Sequence, residues 1–289
     1  MLRRFAPYVY AFPGLLLLLV ILGYPIGRGF YLSFYKYNLS TFEPPRLIGL
    51  ENYEKLVADP LFIDAFQHTI AFVVVSIALE FALGLMIALL LQLDFKGRNL
   101  LRGVSLLPWM MAPVVTAFVW SWLLNGTYGI VNYAMMEANL VSKPIAWFTS
   151  TNLALPTLIF VDVWQSTPFV MLVLLAGLQN IPESLYEAAR IDGAGAVRSF
   201  WHITLPLLKP SAAVALLMRT MIALRFFDAV WIITRGGPAS STEVLATYAY
   251  KKSMLGFRMG FGSAATTVIF LLAFVMSIGY IRLILRREA

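Results

Sequence analysis

Hydrophobic residues fall in six long runs along the chain, at about 12–34, 66–91, 103–124, 153–178, 211–233 and 262–281, with polar passages between them. Each run meets the roughly 20 apolar residues that a helix needs to cross the hydrocarbon of a bilayer. Backbone groups in lipid must bond within their own segment, so the pattern predicts an all-α, polytopic protein. It has six transmembrane helices in a single domain over 1–289. The first run follows Arg3 and Arg4 as a signal peptide would, but Gly23-Tyr24-Pro25 stands where a small-residue cleavage site belongs. It therefore reads as a span, with Arg28 reaching the outer interface. Pro108 and Pro113 in the third run, and Pro156 and Pro168 in the fourth, predict bends. No clear internal repeat is visible, which disfavours transporters built from inverted halves.

Residues 180–210 form a long polar passage between two strongly apolar runs. Pro182 suits a first helical position, Glu183 favours the positive end of a helix, and Gly193 sits where that helix stops. Gly193 and Gly195 permit a tight reversal that a side chain would resist. Val197, Phe200, Trp201 and Thr204 recur at i, i+3, i+4 and i+7, predicting a second short amphipathic helix closed by Pro206 and Pro210. Two such helices are too short to span a bilayer and too apolar for a solvated linker. They make a plug that needs a socket; the plainer alternative is a loop lying on the membrane surface. The passage 36–65 contains a further amphipathic stretch ending near Asp59-Pro60, either an interfacial helix or part of a docking surface.

Composition narrows the class. The 289 residues are 60% hydrophobic and 13% charged, against roughly 25% charged in soluble domains. The net charge of +7 would point to nucleic acid in a soluble chain, but here the basic residues flank apolar runs and suit lipid head groups. The absence of cysteine excludes disulfides and thiolate metal sites. No GxxxxGK[ST] stretch occurs, so nucleotide hydrolysis would belong to a partner. With both termini cytoplasmic, the inner segments hold Arg3, Arg4, Lys96, Arg98, Arg102, Arg190, Arg198, Lys209, Arg282, Arg286 and Arg287. The outer loops are longer and less densely basic, so this orientation satisfies the positive-inside rule and puts 180–210 inside.

Glu80, Asp162, Arg219 and Arg225 lie well inside apolar runs. Each costs on the order of 2.5–3.5 kcal/mol at the bilayer centre, so each needs a partner. Glu80 and Arg219 both fall ~21 Å from the outer ends of their spans, and Asp162 and Arg225 ~13 Å, at ~1.5 Å per residue. Matching depths predicts the pairs Glu80–Arg219 and Asp162–Arg225, with Asp228 competing for the second. Such pairs serve as registry devices as readily as they serve transport. Alternatively Arg225 and Asp228 face a water-filled cavity and meet solute hydroxyls. Trp109, Trp120, Trp122, Trp164 and Trp231 would then supply aromatic faces for sugar C–H surfaces, although most membrane tryptophans are interfacial anchors.

Glu187-Ala188-Ala189, then Gly193, then Ile203, Leu205 and Pro206, match without a gap the E-A-A, G, I-x-L-P loop of binding-protein-dependent ATP-driven importers. The resemblance extends to G-L-E-N-Y at 49–53, L-P-W at 107–109, Y-G-I-V-N at 128–132 and the stretch 225–242, and covers most of the chain from about 49 to 283. Within that family the chain resembles the sugar-type permeases, the first permease subunit of maltose and glycerol-3-phosphate transporters. The resemblance implies a type I ABC importer permease fold, a core of five helices around a central path, and a bacterial-type plasma (inner) membrane. It implies three kinds of partner besides lipid: a second, different permease; two ATPase subunits inside, which bind the ATP and Mg; and an extracytoplasmic solute-binding protein. No cofactor or metal belongs to this chain, and no nucleic acid. Glu187, Ala188, Ala189, Asp192, Gly193, Ile203, Leu205 and Pro206 would couple to the ATPase. The family's sugar-contact places correspond to Trp109, to Trp164, Ser166 and Phe169, and to Arg225 and Asp228, although the residue types differ. Where many relatives read R-T-I-D, this chain has Arg219-Thr220-Met221-Ile222, so Arg219 loses a local aspartate and Glu80 gains importance.

The expected protein is thus a passive conduit moved by others, with no catalytic residues of its own. Its solute is a carbohydrate or related polyhydroxy compound. A proton-coupled secondary transporter using Glu80 and Asp162 is the competing reading. A membrane enzyme is the third class, but His68 and His202 belong to no metal-ligand pattern.

Overall fold

A computed structural model describes residues 10, 12–41 and 43–285; Arg3, Arg4, Arg286 and Arg287 lie outside the described residues. Almost all regular structure is helical: α1 Phe12–Leu32, α2 Glu51–Ala58, α3 Pro60–Gln92, α4 Arg98–Met110, α5 Pro113–Leu123, α6 Ile130–Glu137, α7 Ala154–Gln179, α8 Glu183–Ile191, α9 Ala196–Ala223, α10 Leu245–Tyr250 and α11 Met259–Leu285. One antiparallel ribbon pairs β1 Tyr35–Lys36 with β2 Arg46–Leu47. Among the described residues five helices are long and apolar enough to cross a membrane, or six if α4 and α5 count as one span.

Three of the expected runs change shape. The third is broken: α4 and α5 meet at 94°. Pro113 opens α5, and Ala112 before it is extended, as a residue preceding proline tends to be. The second begins at Pro60 rather than 66, which makes α3 33 residues long. The fifth is not continuous over 211–233. Its helix ends at Ala223, Phe226 leaves it to stack on Phe72 at 4.0 Å, and a separate wide turn follows at Val230–Thr234.

The chain divides into two compact units. In one, built from the residues up to Ile63 with Tyr248–Phe270, the helix α1 is exposed along almost its whole length. Buried Asn52 donates to the carbonyls of Ser33 (2.8 Å) and Tyr35 (3.0 Å), fixing α2 against the start of the ribbon. Asp59 accepts from the Tyr248 hydroxyl (2.7 Å) and the Lys252 ammonium (3.0 Å). Partial burial works against the Asp59 carboxylate, but these two donors hold its pKa below the ordinary aspartate value.

The other unit holds the remaining helices, from Asp64 to Thr247 and onward from Leu271. Its centre is α7, most of whose residues are buried. One apolar cluster joins Ala88 and Leu91 of α3, Met171, Leu174 and Leu178 of α7, and Leu208 and Ala215 of α9. A second joins Phe72 and Ile77 of α3, Ile159 and Val163 of α7, and Ala223 of α9. On α3 and α9 one ionisable residue, Glu80 and Arg219, falls between these clusters, while Asp162 of α7 lies within the second, beside Val163.

Candidate functional site

The hairpin between α7 and α9 begins with Pro182 as an extended cap, one position earlier than expected, and α8 starts at Glu183. Its end is built by local geometry. Gly193 has φ +75°, its N–H donates to Arg190 O (3.1 Å), and Ala194 N–H donates to Ala189 O (2.8 Å). This is the hydrogen-bond pattern that stops a helix with a left-handed glycine. A Cβ on Gly193 would meet nothing within 4 Å, so the backbone conformation alone demands glycine there.

The second short helix corrects the sequence reading. Pro206 and Pro210 do not close it; α9 runs unbroken from Ala196 to Ala223 and carries the hairpin directly into a span. Proline in a helix lacks an N–H and strikes the carbonyl four residues back. Here a wider turn at Phe200–Thr204, in which Leu205 N–H reaches Phe200 O, lies just ahead of Pro206 and takes up that conflict. Tyr186 of α8 bonds Thr204 of α9 through their hydroxyls at 2.9 Å, tying the two arms. Between these arms and the end of α3 lies an open groove of about 1180 Å³, lined by Met86, Leu90, Leu178, Tyr186 and Phe200 among others.

The hairpin's outer surface is apolar and bare. Ile191 is 87% exposed, Val197 73% and Trp201 59%. Glu187, Ala188, Asp192 and Gly193 are exposed; Ala189, Ile203, Leu205 and Pro206 are half-buried. Ala189, Asp192 and Ile203 also border a recess of about 250 Å³ with Arg198 and His202. His202 Nδ1 lies 2.9 Å from Arg198 O. His68 pairs with Glu243 O at 3.1 Å. Among the described residues no group of acidic, histidine or cysteine side chains could hold a metal.

The charges at membrane depth converge on one arginine. Arg219 Nε and one terminal nitrogen donate to the two oxygens of Glu80, both at 2.6 Å, and the same terminal nitrogen reaches Asp162 at 2.9 Å. Side-chain exposures are 3%, 0% and 8% respectively. Ser166 donates to the other oxygen of Asp162 at 3.3 Å. The expected Asp162–Arg225 pair does not form. Because the helix ends at Ala223, Arg225 leaves the depth that a continuous span would give it; it is exposed, and its Nε donates to Met221 O at 3.3 Å. Asp228 is exposed as well.

The aromatic candidates fall into two groups. Trp109 and Phe169 pack with ring centroids 5.6 Å apart, and Trp164 packs on Trp120 at 5.3 Å. Trp109 is exposed, Trp164 and Phe169 are half-buried, and Ser166 is buried against Asp162. Sequence reasoning missed the residue that holds the break beside Trp109: Gln165 Nε2 donates to Met111 O at 3.0 Å, at the α4–α5 corner. It also missed Asn132, which is buried and bonds Ile145 O (3.0 Å), Ile145 N–H (3.1 Å) and Trp147 Nε1 (3.1 Å). The only signal for Asn132 was its place in the Y-G-I-V-N string.

The described residues thus form a multi-span helical bundle in which one short hairpin continues directly into a span. The chain belongs to the family described as the binding-protein-dependent transport system inner membrane component, which it matches over residues 80–288. It is 37% identical over 276 residues to the sulfoquinovosyl glycerol transport system permease protein SmoG of Agrobacterium fabrum, covering 96% of this chain and 89% of that one. It is 38% identical over 275 residues to the trehalose/maltose transport system permease protein MalF of Thermococcus litoralis, covering 95% and 92%. In fold it is similar to a chain in the crystal structure of a bacterial ABC transporter involved in the import of the acidic polysaccharide alginate, with TM-score 0.83, 24% identity, and 99% and 97% coverage. Membership of a binding-protein-dependent system decides against the proton-coupled reading.

Proposed function

We propose that this chain is the membrane-spanning permease subunit of an ATP-driven importer of a carbohydrate or related polyhydroxy solute. It forms half of the translocation path with a second, different permease. Two ATPase subunits bind ATP and Mg on the cytoplasmic side, a solute-binding protein delivers solute outside, and both termini are cytoplasmic. The carbohydrate class is supported by the names of the relatives, trehalose/maltose and sulfoquinovosyl glycerol systems. The observation that carries the coupling role is the hairpin itself: an E-A-A loop, stopped by left-handed Gly193, that presents Ile191, Val197 and Trp201 to solvent.

In this reading the hairpin sits in a cleft of the ATPase. Closure of the ATPase dimer moves the hairpin, α9 carries the movement into the membrane, and the path opens alternately outward and inward. Glu187 meets a basic group, Ala188 and Ala189 allow close approach, and Asp192, Ile203, Leu205 and Pro206 complete the fitted surface. Trp109, Trp164, Ser166, Phe169, Arg225 and Asp228 are the candidates to line the path. The exposed Trp109, Arg225 and Asp228 are the best placed to meet solute.

Gly193→Val tests the coupling role. A β-branched residue at positive φ costs roughly 1–3 kcal/mol locally, so the hairpin should lose its turn while the spans still insert. The expected result is a membrane-inserted permease whose complex no longer shows stimulation of ATP hydrolysis by solute-loaded binding protein. Normal stimulation in the purified variant complex would sink the assignment.

A further inference from the structure

The proposed path of force from hairpin to pore begins at α9, yet α9 alone cannot reshape a pore. Something must make its neighbours follow. Arg219 lies 13 residues beyond Pro206 on the same helix, about 20 Å along the axis. At that level its planar guanidinium grips α3 through both oxygens of Glu80 and α7 through Asp162. A guanidinium fork fixes orientation as well as distance, which a lysine ammonium does not.

The same helices are also tied nearer the hairpin, without charge. A Cβ on Gly177 of α7 would collide with the Ser211 side chain of α9 and reach Leu208 Cδ1 at 2.9 Å. A Cβ on Gly84 of α3 would stand 3.0 Å from Met171 N of α7. So α7 is held to α9 at two levels, Gly177 and Asp162, about 22 Å apart along its axis. It is held to α3 at Gly84, while Arg219 bonds α3 directly at Glu80. Helices joined at one level can pivot; helices joined at two turn together.

We infer that Arg219, with Glu80 and Asp162, is a positioning residue for transport: it locks α3, α7 and α9 into one rigid body that turns when the hairpin is moved. This rests on the coupling role proposed above. The three side chains are 0–8% exposed, out of reach of a solute in the path. Its buried position between two apolar clusters suits a lock that must keep its geometry while the path around it is alternately wet and dry.

The native chain has no cysteine, so paired labels need no background removal. Val74→Cys on α3 and Val214→Cys on α9 replace lipid-accessible side chains, 59% and 50% exposed. Spin labels at both, in the full complex reconstituted with its partners, report the α3–α9 distance with and without ATP and vanadate. The expected result is one narrow distance distribution, unshifted between the two states. Arg219→Lys keeps the charge and loses the fork. It should broaden that distribution and lower the stimulation of ATP hydrolysis by trehalose-loaded or maltose-loaded binding protein roughly tenfold, with normal complex yield. Glu80→Gln, which retains one acceptor, should do the same more weakly.

A native distance that changes with nucleotide would overturn the inference, as would an Arg219→Lys complex with native distance and native stimulation. If Arg219→Lys does not assemble, the native distances and Glu80→Gln still decide. A native complex whose hydrolysis ignores the binding protein would instead overturn the coupling role and leave the distance measurement to judge the lock.

Discussion

The two ends of α9 obey opposite rules. Near its start, Val197 and Trp201 hold large apolar surfaces in solvent; near its end, Arg219 holds a charge almost wholly out of it. Both arrangements are unfavourable taken alone. The arginine is compensated inside this chain, by Glu80 and Asp162. The apolar residues Ile191, Val197 and Trp201 stand largely exposed, as the coupling role proposed above requires of a surface that a partner completes. In the proposed function one helix therefore joins an internally complete lock to a joint that a partner completes.

Removing the internal compensation should have the largest effect. Arg219→Leu leaves two buried carboxyl groups without their shared donor, and breaking such a cluster from one side costs about 3–5 kcal/mol. Thermal unfolding of the detergent-solubilised chain should show a large drop. Replacing Glu80 with Gln and Asp162 with Asn in the same background should recover part of it. An Arg219→Leu chain as stable as the native one would mean that the cluster contributes nothing, and the contrast along α9 would disappear.

A buried amide sharpens the same contrast at lower magnitude. Asn132 ties the loop around Ile145 and Trp147 to α6 with hydrogen bonds in both directions. Asn132→Ala leaves buried backbone groups unsatisfied, at about 1–3 kcal/mol. The loss should appear in unfolding of the isolated chain, with no need of a partner. Asn132→Asp, which keeps the acceptor for Ile145 N–H and Trp147 and loses the donor, should fall between. An unchanged midpoint for the alanine variant would remove Asn132 from the internally completed side of the comparison.

Depth counting from span ends paired Glu80 with Arg219, and the pair forms because both residues lie inside regular helix, Arg219 short of the end of α9 at Ala223. The same arithmetic misassigned Arg225, since it assumed a helix through 211–233 and the helix stops at Ala223. Hydropathy does not register such a stop: Leu224, Phe226 and Val230 continue the apolar pattern while the backbone departs from it. The hairpin was legible as far as Gly193, where chemistry dictates conformation. It was misread at Pro206, where a wide turn lets the helix carry a proline that normally ends one, and at Pro210, which α9 carries in its interior. Gln165 gave no local sign, and Asn52 and Asn132 none beyond their places in the G-L-E-N-Y and Y-G-I-V-N strings. A buried amide is recognised by the carbonyls it meets, and those lie 7 to 54 positions away in sequence.

The smallest expected change tests the other end of α9. Trp201 is 59% exposed, and its one described ring contact is with neighbouring Phe200 at 5.5 Å. Truncating an exposed side chain away from the core changes stability by within about 0.5 kcal/mol, so Trp201→Ala should leave the unfolding of the isolated chain where it was. Its effect should appear only on assembly, because large aromatic side chains buried at the centre of an interface dominate its energy. The complex should then form with weaker retention of the ATPase. Co-purification over a range of salt and detergent concentrations would measure that. An alanine variant that destabilises the isolated chain while the ATPase stays fully bound would reverse the assignment, placing Trp201 with the internal core and leaving the hairpin's remaining apolar residues, Ile191 and Val197, to make the joint.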